Sequence, residues 1–158
     1  MEDARLATVA DIPRLTALCE MARAEVAGQR GGAVLLASMA DSPGVADLLA
    51  AVRSDPDRIT VVGTTDGAEV GFASAHCDRT PSRPLGIIDA IYVEPAARMI
   101  GVGEAMMDLV VGWCARRGCA GVDAQALPGS RATKAFFEDS GFVARLLVMH
   151  HRIPRADG

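Results

Sequence analysis

The stretch Ile91-Tyr92-Val93-Glu94-Pro95-Ala96-Ala97-Arg98-Met99-Ile100-Gly101-Val102-Gly103-Glu104 passes from β-forming residues, through a proline-bounded loop, into two glycines that open a helix. Pro95 stops the strand. Beyond the glycines, Val102, Met106, Leu109, Val110 and Trp113 recur at helical spacing. Arg116-Arg117-Gly118 ends that helix, with cations at the negative end of the dipole and glycine past the last turn. The first amides of a helix have no partners within it. They form an anion site, and glycine lets a diphosphate approach the backbone closely. Arg98 is placed to add a charge-assisted contact. Gly101-x-Gly103 lacks the third glycine of a dinucleotide fingerprint and the Gly-Lys-Ser/Thr of a nucleotide P-loop. By itself it reads equally well as a tight strand-to-helix turn.

Outward from this segment the chain alternates strands and helices. Ahead of it, Arg5 to Val9 reads as a strand, and Asp11 as a helix cap with Pro13 in the first turn. Ile12, Leu15, Leu18, Cys19, Ala22 and Val26 follow at helical spacing, and Gly28 and Gly31-Gly32 end that helix. Ser42-Pro43 starts another helix, with Val45, Leu48, Leu49 and Val52 facing inward. Ile59–Thr64 and Glu69–His76 are strands joined by Asp66-Gly67, a hairpin signal. A polar loop leads to the strand Ile87–Val93. After the central helix, Gly121–Leu127 reads as a strand, Arg131–Ser140 as a helix and Phe142–Ile153 as a final strand. The fold class is an α/β sandwich with a mixed sheet.

The chain has 158 residues, enough for one well-buried domain. Half of them are hydrophobic and 23% are charged, which excludes general disorder. Net charge is −4 and the basic residues are scattered, so no nucleic-acid footprint is present. No apolar run approaches the ~20 residues of a membrane span. The acidic opening Met1-Glu2-Asp3 lacks a signal-peptide core. A soluble, cytoplasmic protein is expected. Cys19, Cys77, Cys114 and Cys119 show no metal or disulfide spacing. No metal is expected. Lys134 is the only lysine, so Schiff-base chemistry would have to use it.

Three motifs together resemble the GNAT superfamily of acyl-CoA-dependent N-acyltransferases. Val93-x-Pro95-x-x-Arg98-x-x-Gly101-x-Gly103 fits that family's acyl-CoA signature. Ser130-x-x-Thr133-x-x-Phe136-Phe137-Glu138-x-x-Gly141-Phe142 is similar to its later helix, and Arg5-x-Ala7-Thr8-x-x-Asp11-Ile12-Pro13 to its opening. The resemblance implies one domain over 1–153 with a frayed 154–158. It implies a GNAT-like mixed sheet, largely antiparallel, with a central parallel splayed pair and flanking helices. It also implies acetyl transfer from acetyl-CoA to a primary amine, on a small molecule or a protein, by direct attack. The family often forms dimers, and the apolar final strand suits an edge in a homodimer.

The same resemblance assigns the cofactor contacts. Pantetheine pairs with the strand edge at Ile91, Tyr92, Val93 and Glu94. The diphosphate rests on amides of Arg98, Met99, Ile100, Gly101, Val102, Gly103 and Glu104. Ser130, Lys134 and Phe137 flank the cofactor. A strand N–H near Val93 would bind the carbonyl oxygen. Asp89 and Glu94 are the candidate catalytic carboxylates. Asp89 stands where some diamine-type relatives carry one, and its reading as a plain strand-start residue stays open. The chain departs from the family at Phe137, where many relatives place a tyrosine that protonates the leaving thiolate. It departs again at Met99-Ile100, where they often carry glycine and basic residues. The first departure keeps a second function in play, a non-catalytic acyl-CoA-binding or regulatory module.

Overall fold

The computed structural model describes residues 1–38 and 44–155. The order is β1 (Glu2–Leu6), a 3₁₀ turn (Val9–Asp11), α1 (Ile12–Ala27), α2 (Gly32–Ser38), α3 (Val45–Ser54), β2 (Arg58–Thr65), β3 (Ala68–Asp78) and β4 (Leu85–Val93). A second 3₁₀ turn (Pro95–Ala97) leads to α4 (Val102–Arg116), β5 (Val122–Ala124) and α5 (Arg131–Asp139). The five strands form one sheet in chain order. The first three pairings are antiparallel and β4–β5 is parallel. This is the expected mixed sheet with flanking helices. Asp66 and Gly67 both take positive φ, +48° and +83°, as the β2–β3 hairpin turn requires.

Strand alternation sends side chains to two helical layers. Ile59, Val61, Ala73, Ala75 and Ile88 meet Val102, Met106, Val110 and Trp113 of α4. Val62, Phe72 and Tyr92, on the other face, meet Leu15 and Leu18 of α1 and Leu49 of α3.

Several elements differ from the sequence expectation. The first strand lies at Glu2–Leu6 instead of Arg5–Val9, because Asp11 folds the chain at Thr8. Its buried carboxylate accepts the Thr8 amide at 2.7 Å and both terminal nitrogens of Arg5 at 2.8 Å. Helix α2 was not foreseen. Gly31 (φ +81°) turns the chain, and the helix-forming run after it re-enters a helix at once. The proposed start at Ser42-Pro43 lies outside the described residues, and α3 begins at Val45. Strand β5 has three residues, fewer than the expected Gly121–Leu127.

The final strand Phe142–Ile153 does not form, and residues 142–155 carry no regular element. A three-residue β5 is too short an edge to template a strand of that length. The parallel pair therefore ends the sheet.

The Arg5 guanidinium beside Asp11, helped by Thr8, holds the Asp11 carboxyl well below the usual carboxylate range. A folded value below the unfolded ~3.9 gives stability that is present above that pH and lost as pH falls below it. Asp11→Asn is expected to cost about 1–2 kcal/mol at pH 7, less than a fully buried pair because Arg5 stays partly hydrated. Urea melts from pH 7 down to pH 3 should show the difference shrinking with acidity. A constant difference would overturn the assignment.

Candidate active site

Strand β5 pairs only with Gly86, Ile87 and Ile88. The rest of β4, Asp89 to Val93, has no strand on that side among the described residues, although β3 pairs with β4 as far as Val93. A length of sheet edge is thus open inside the fold. Its opening is walled by the α1–α2 turn, which lies against the loop after β5. A Cβ built on Gly31 falls 3.7 Å from Leu127, and one on Gly129 falls 3.8 Å from Arg30.

At the end of that edge stands the N-terminus of α4. The first intrahelical bond runs from the Ala105 amide to the Gly101 carbonyl at 3.0 Å. The amides of residues 99–104 find no acceptor among the described residues. Six N–H groups and the positive end of a 15-residue helix dipole gather there. Gly101 is required by its backbone, with φ +99°. Gly103 is required by packing, since a Cβ there would lie 2.9 Å from the Phe136 ring. Glycine therefore serves α5 docking at one position and the turn at the other. Met99 also has positive φ (+67°) and is 98% exposed; Ile100 and Glu104 are exposed beside it.

Arg98 is held back from this loop. Its Nε donates to the Val93 carbonyl at 2.8 Å, and its terminal nitrogen meets Glu25 of α1 at 2.6 Å. The guanidinium also lies 5.6 Å from the centre of the Tyr92 ring. Tyr92 is buried on the α1 face, and burial raises its phenol above the ordinary value. Ile91 and Val93 belong to the opposite face, against the α4 core.

On the far side, the Ser130 hydroxyl lies 2.6 Å from that of Thr133. Lys134 is exposed and paired with Glu138 at 2.7 Å. Phe137 is buried, with ring centres 5.6 Å from Phe136 and 5.3 Å from Phe142. It is a core side chain. The Ser140 hydroxyl, close by on the same helix end, donates to the Phe136 carbonyl at 2.9 Å.

The two candidate carboxylates separate clearly. Glu94 pairs with Arg14 of α1 at 2.8 Å. Asp89 is the first residue of β4 beyond the β5 pairing and sits at the irregularity opposite Ser74 and Ala75. Both of its oxygens lie near Nδ1 of His76, at 2.9 and 3.0 Å. A carboxylate can only accept, so Nδ1 carries the hydrogen and Nε2 is left with a lone pair. Nε2 has no partner among the described residues. Each side chain is about one-third exposed, at 31% and 35%. The Cys77 and Cys119 sulfurs approach to 3.2 Å. Burial pushes the Cys77 thiol up to about 12 and the Cys114 thiol to about 11, so they stay protonated and are poor nucleophiles. No cluster able to hold a metal occurs among the described residues.

Residue spacing marks neither His76 nor the partners Glu25 and Arg14. The His76–Asp89 meeting depends on a strand irregularity that residue spacing does not show.

The Acetyltransferase (GNAT) family model matches residues 32–142. The aminoglycoside N(6')-acetyltransferase type 1 of Stenotrophomonas maltophilia is 27% identical over 120 residues, 73% of this chain and 78% of that protein. AAC(6')-Iy in complex with the bisubstrate analog CoA-S-monomethyl-acetylneamine has a TM-score of 0.72 at 18% identity, over 98% of this chain and 99% of that one. A putative acetyltransferase from Agrobacterium tumefaciens str. C58 has a TM-score of 0.70 at 23% identity, over 96% and 99%. These two likenesses speak to the fold, and the family model covers well over half of the sequence. The chain belongs to the acetyltransferase (GNAT) family.

Proposed function

We propose that the chain transfers an acetyl group from acetyl-CoA to a primary amine, with His76 as the base and Asp89 as the carboxylate that orients it. The observation that carries this is a single continuous arrangement. The unbonded amides of residues 99–104 adjoin the open β4 edge, and the His76–Asp89 pair stands where β5 departs. Bound acetyl-CoA would supply the thioester. The amides of Met99 to Glu104 would hold its diphosphate, since the Arg98 amide is already bonded to the Pro95 carbonyl at 3.4 Å, and the main chain from Ile91 to Glu94 would pair with its pantetheine amides. An arm lying back along β4 from this loop runs toward Asp89, about 13 Å from Val93 at ~3.3 Å per residue.

The chemical need is a neutral amine. An alkylamine with a pKa near ~10.4 costs about 4–5 kcal/mol to deprotonate at pH 7. Nε2 of His76 offers a lone pair for that proton, and Asp89 stabilises the charge that results. A main-chain N–H of the open edge beside Asp89, where the arm ends, would donate to the carbonyl oxygen. Phe137 offers no proton to the departing sulfur. A thiolate of pKa near ~8.5 leaves tolerably without one. Glu94 is already committed to Arg14 and takes no part in this scheme.

The relative from S. maltophilia is by name an aminoglycoside N(6')-acetyltransferase. This makes aminoglycosides the first members of an amine panel. Thiol release from acetyl-CoA should appear with at least one amine of the panel. His76→Ala and Asp89→Asn should each lower kcat by about 10²–10⁴-fold, with the KM for acetyl-CoA little changed. An unchanged kcat in either variant would remove that residue from the chemistry. Calorimetry with no heat of CoA binding would sink the whole reading.

Phe137 alone favours the second reading, a binding or regulatory module. Micromolar CoA binding with no turnover on any amine would establish it. Activity gained by Phe137→Tyr would instead mark an impaired enzyme.

Glu25 competes with the cofactor phosphates for Arg98. Glu25→Gln should therefore tighten CoA binding about 2- to 5-fold, the scale of one partly exposed ion pair. Equal or weaker binding would show that Glu25 positions Arg98 instead.

A further inference from the structure

Three of the four free cysteines gather where the end of β3, the start of β4 and the end of α4 meet. The Cys77 and Cys119 sulfurs touch at 3.2 Å, although 42 residues separate them along the chain. A disulfide needs about 2.05 Å, so the two atoms stand only about 1.2 Å from bonding distance. Both are carried on fixed backbone. Cys77 lies opposite Gly86 of β4, and its amide donates to the Asp57 carbonyl at 2.8 Å. Arg79, two residues on, clasps the Asp57 carboxylate with two nitrogens, at 2.5 and 2.6 Å. Cys119 follows the Gly118 turn, which has φ +76°. Its amide donates to the Cys114 carbonyl at 3.1 Å, and the Ala120 amide to the Pro84 carbonyl at 2.8 Å.

The three thiols differ in access. Cys119 is only half-buried, so a small polar oxidant reaches it first. Cys77 is 8% exposed and lies directly behind it. Cys114 is 1% exposed, and its sulfur fills the space above Gly86, where a Cβ would fall 2.4 Å from it. It has little room to turn toward a partner.

We propose that Cys77 and Cys119 form a disulfide site oxidised by peroxide, with Cys119 as the attacking sulfur and Cys77 as the resolving one. The Cys119 thiolate attacks one oxygen of hydrogen peroxide. An S–O bond forms and the O–O bond breaks. The departing hydroxide takes up the proton that Cys119 released, which leaves a sulfenic acid and one water. Cys77 then attacks that sulfur. The S–S bond forms, the S–O bond breaks, and hydroxide leaves with the Cys77 proton as a second water. Two thiols thus give up two electrons, and one peroxide is reduced to two waters. Burial makes Cys77 a weak nucleophile, but contact with its target makes the closing step intramolecular. The bond clamps the end of β3, one residue beyond His76, to the loop that feeds β5. The proposal is independent of acetyl transfer, since neither sulfur belongs to that site.

Trypsin separates the three cysteines, with Cys77 in 59–79, Cys114 in 99–116 and Cys119 in 118–131. The reduced full chain is treated with hydrogen peroxide, alkylated and digested. Mass spectrometry should find 59–79 joined to 118–131, and dithiothreitol should part them. The bond closes a long loop, so Tm should rise by about 5–10 °C on oxidation and fall back on reduction. The crosslink should form about tenfold faster, or more, in the native chain than in urea. Cys119→Ser should lose both the crosslink and the Tm rise, and Cys114→Ala should keep both. Four results would each overturn the proposal: a bond from Cys119 to Cys114, Cys119 carried to sulfinic acid while Cys77 stays open to alkylation, equal rates in urea, and a Tm rise retained by Cys119→Ser. If a variant is misfolded, the peptide map and the rates of the wild type decide alone.

Discussion

The close seating of α4 on the sheet is the constraint from which the rest follows. Three strands offer it a missing side chain. A Cβ on Gly63 of β2 would lie 2.5 Å from Val102, and one on Gly86 of β4 would lie 2.4 Å from the Cys114 sulfur. One on Gly71 of β3 would meet the Tyr92 carbonyl at 2.7 Å and Met106 at 3.1 Å. The helix is thus pinned near both ends and in the middle. Its N-terminal amides then face outward at the end of β4, and its C-terminus delivers the chain back alongside Gly86. Three parallel pairs form there before β5 parts from β4. The open edge and the unbonded amides of residues 99–104 are two consequences of one helix being pressed flat.

How far this was legible in the sequence depends on the range of the interaction. The Asp66-Gly67 hairpin, the glycine-opened helix and its Arg-Gly ending are local signals, and each stands where the residues put it. The meeting of His76 with Asp89 was not legible, because it needs one strand to slip by a residue against its neighbour. Gly103 was read for its nearness to a diphosphate, and its hydrogens face Phe136 of α5. Phe137 was a missing acid by motif, and in the fold it is an aromatic wedge between Phe136 and Phe142. Residues 143–149 have strand composition but no strand partner among the described residues, a distinction that composition cannot carry.

The ion pairs show a division of labour. Arg14 and Glu25 both lie on α1. Arg14 holds Glu94 at the start of the loop and also donates to the Glu69 carbonyl at 2.9 Å. Glu25 holds Arg98 a few residues later. Helix α1 therefore grips the loop between β4 and α4 at two points, four residues apart in sequence. Neither pair is deeply buried, so neither adds much stability. Their effect is geometric. They fix where the loop sits relative to α1, and through the Val93 carbonyl Arg98 fixes the end of the open edge as well. Because Arg98 is engaged on the α1 side, the unsatisfied donors of this loop are its main-chain amides. Those backbone donors stay grouped whatever the side chains are, provided the glycine turn at Gly101 holds its positive φ.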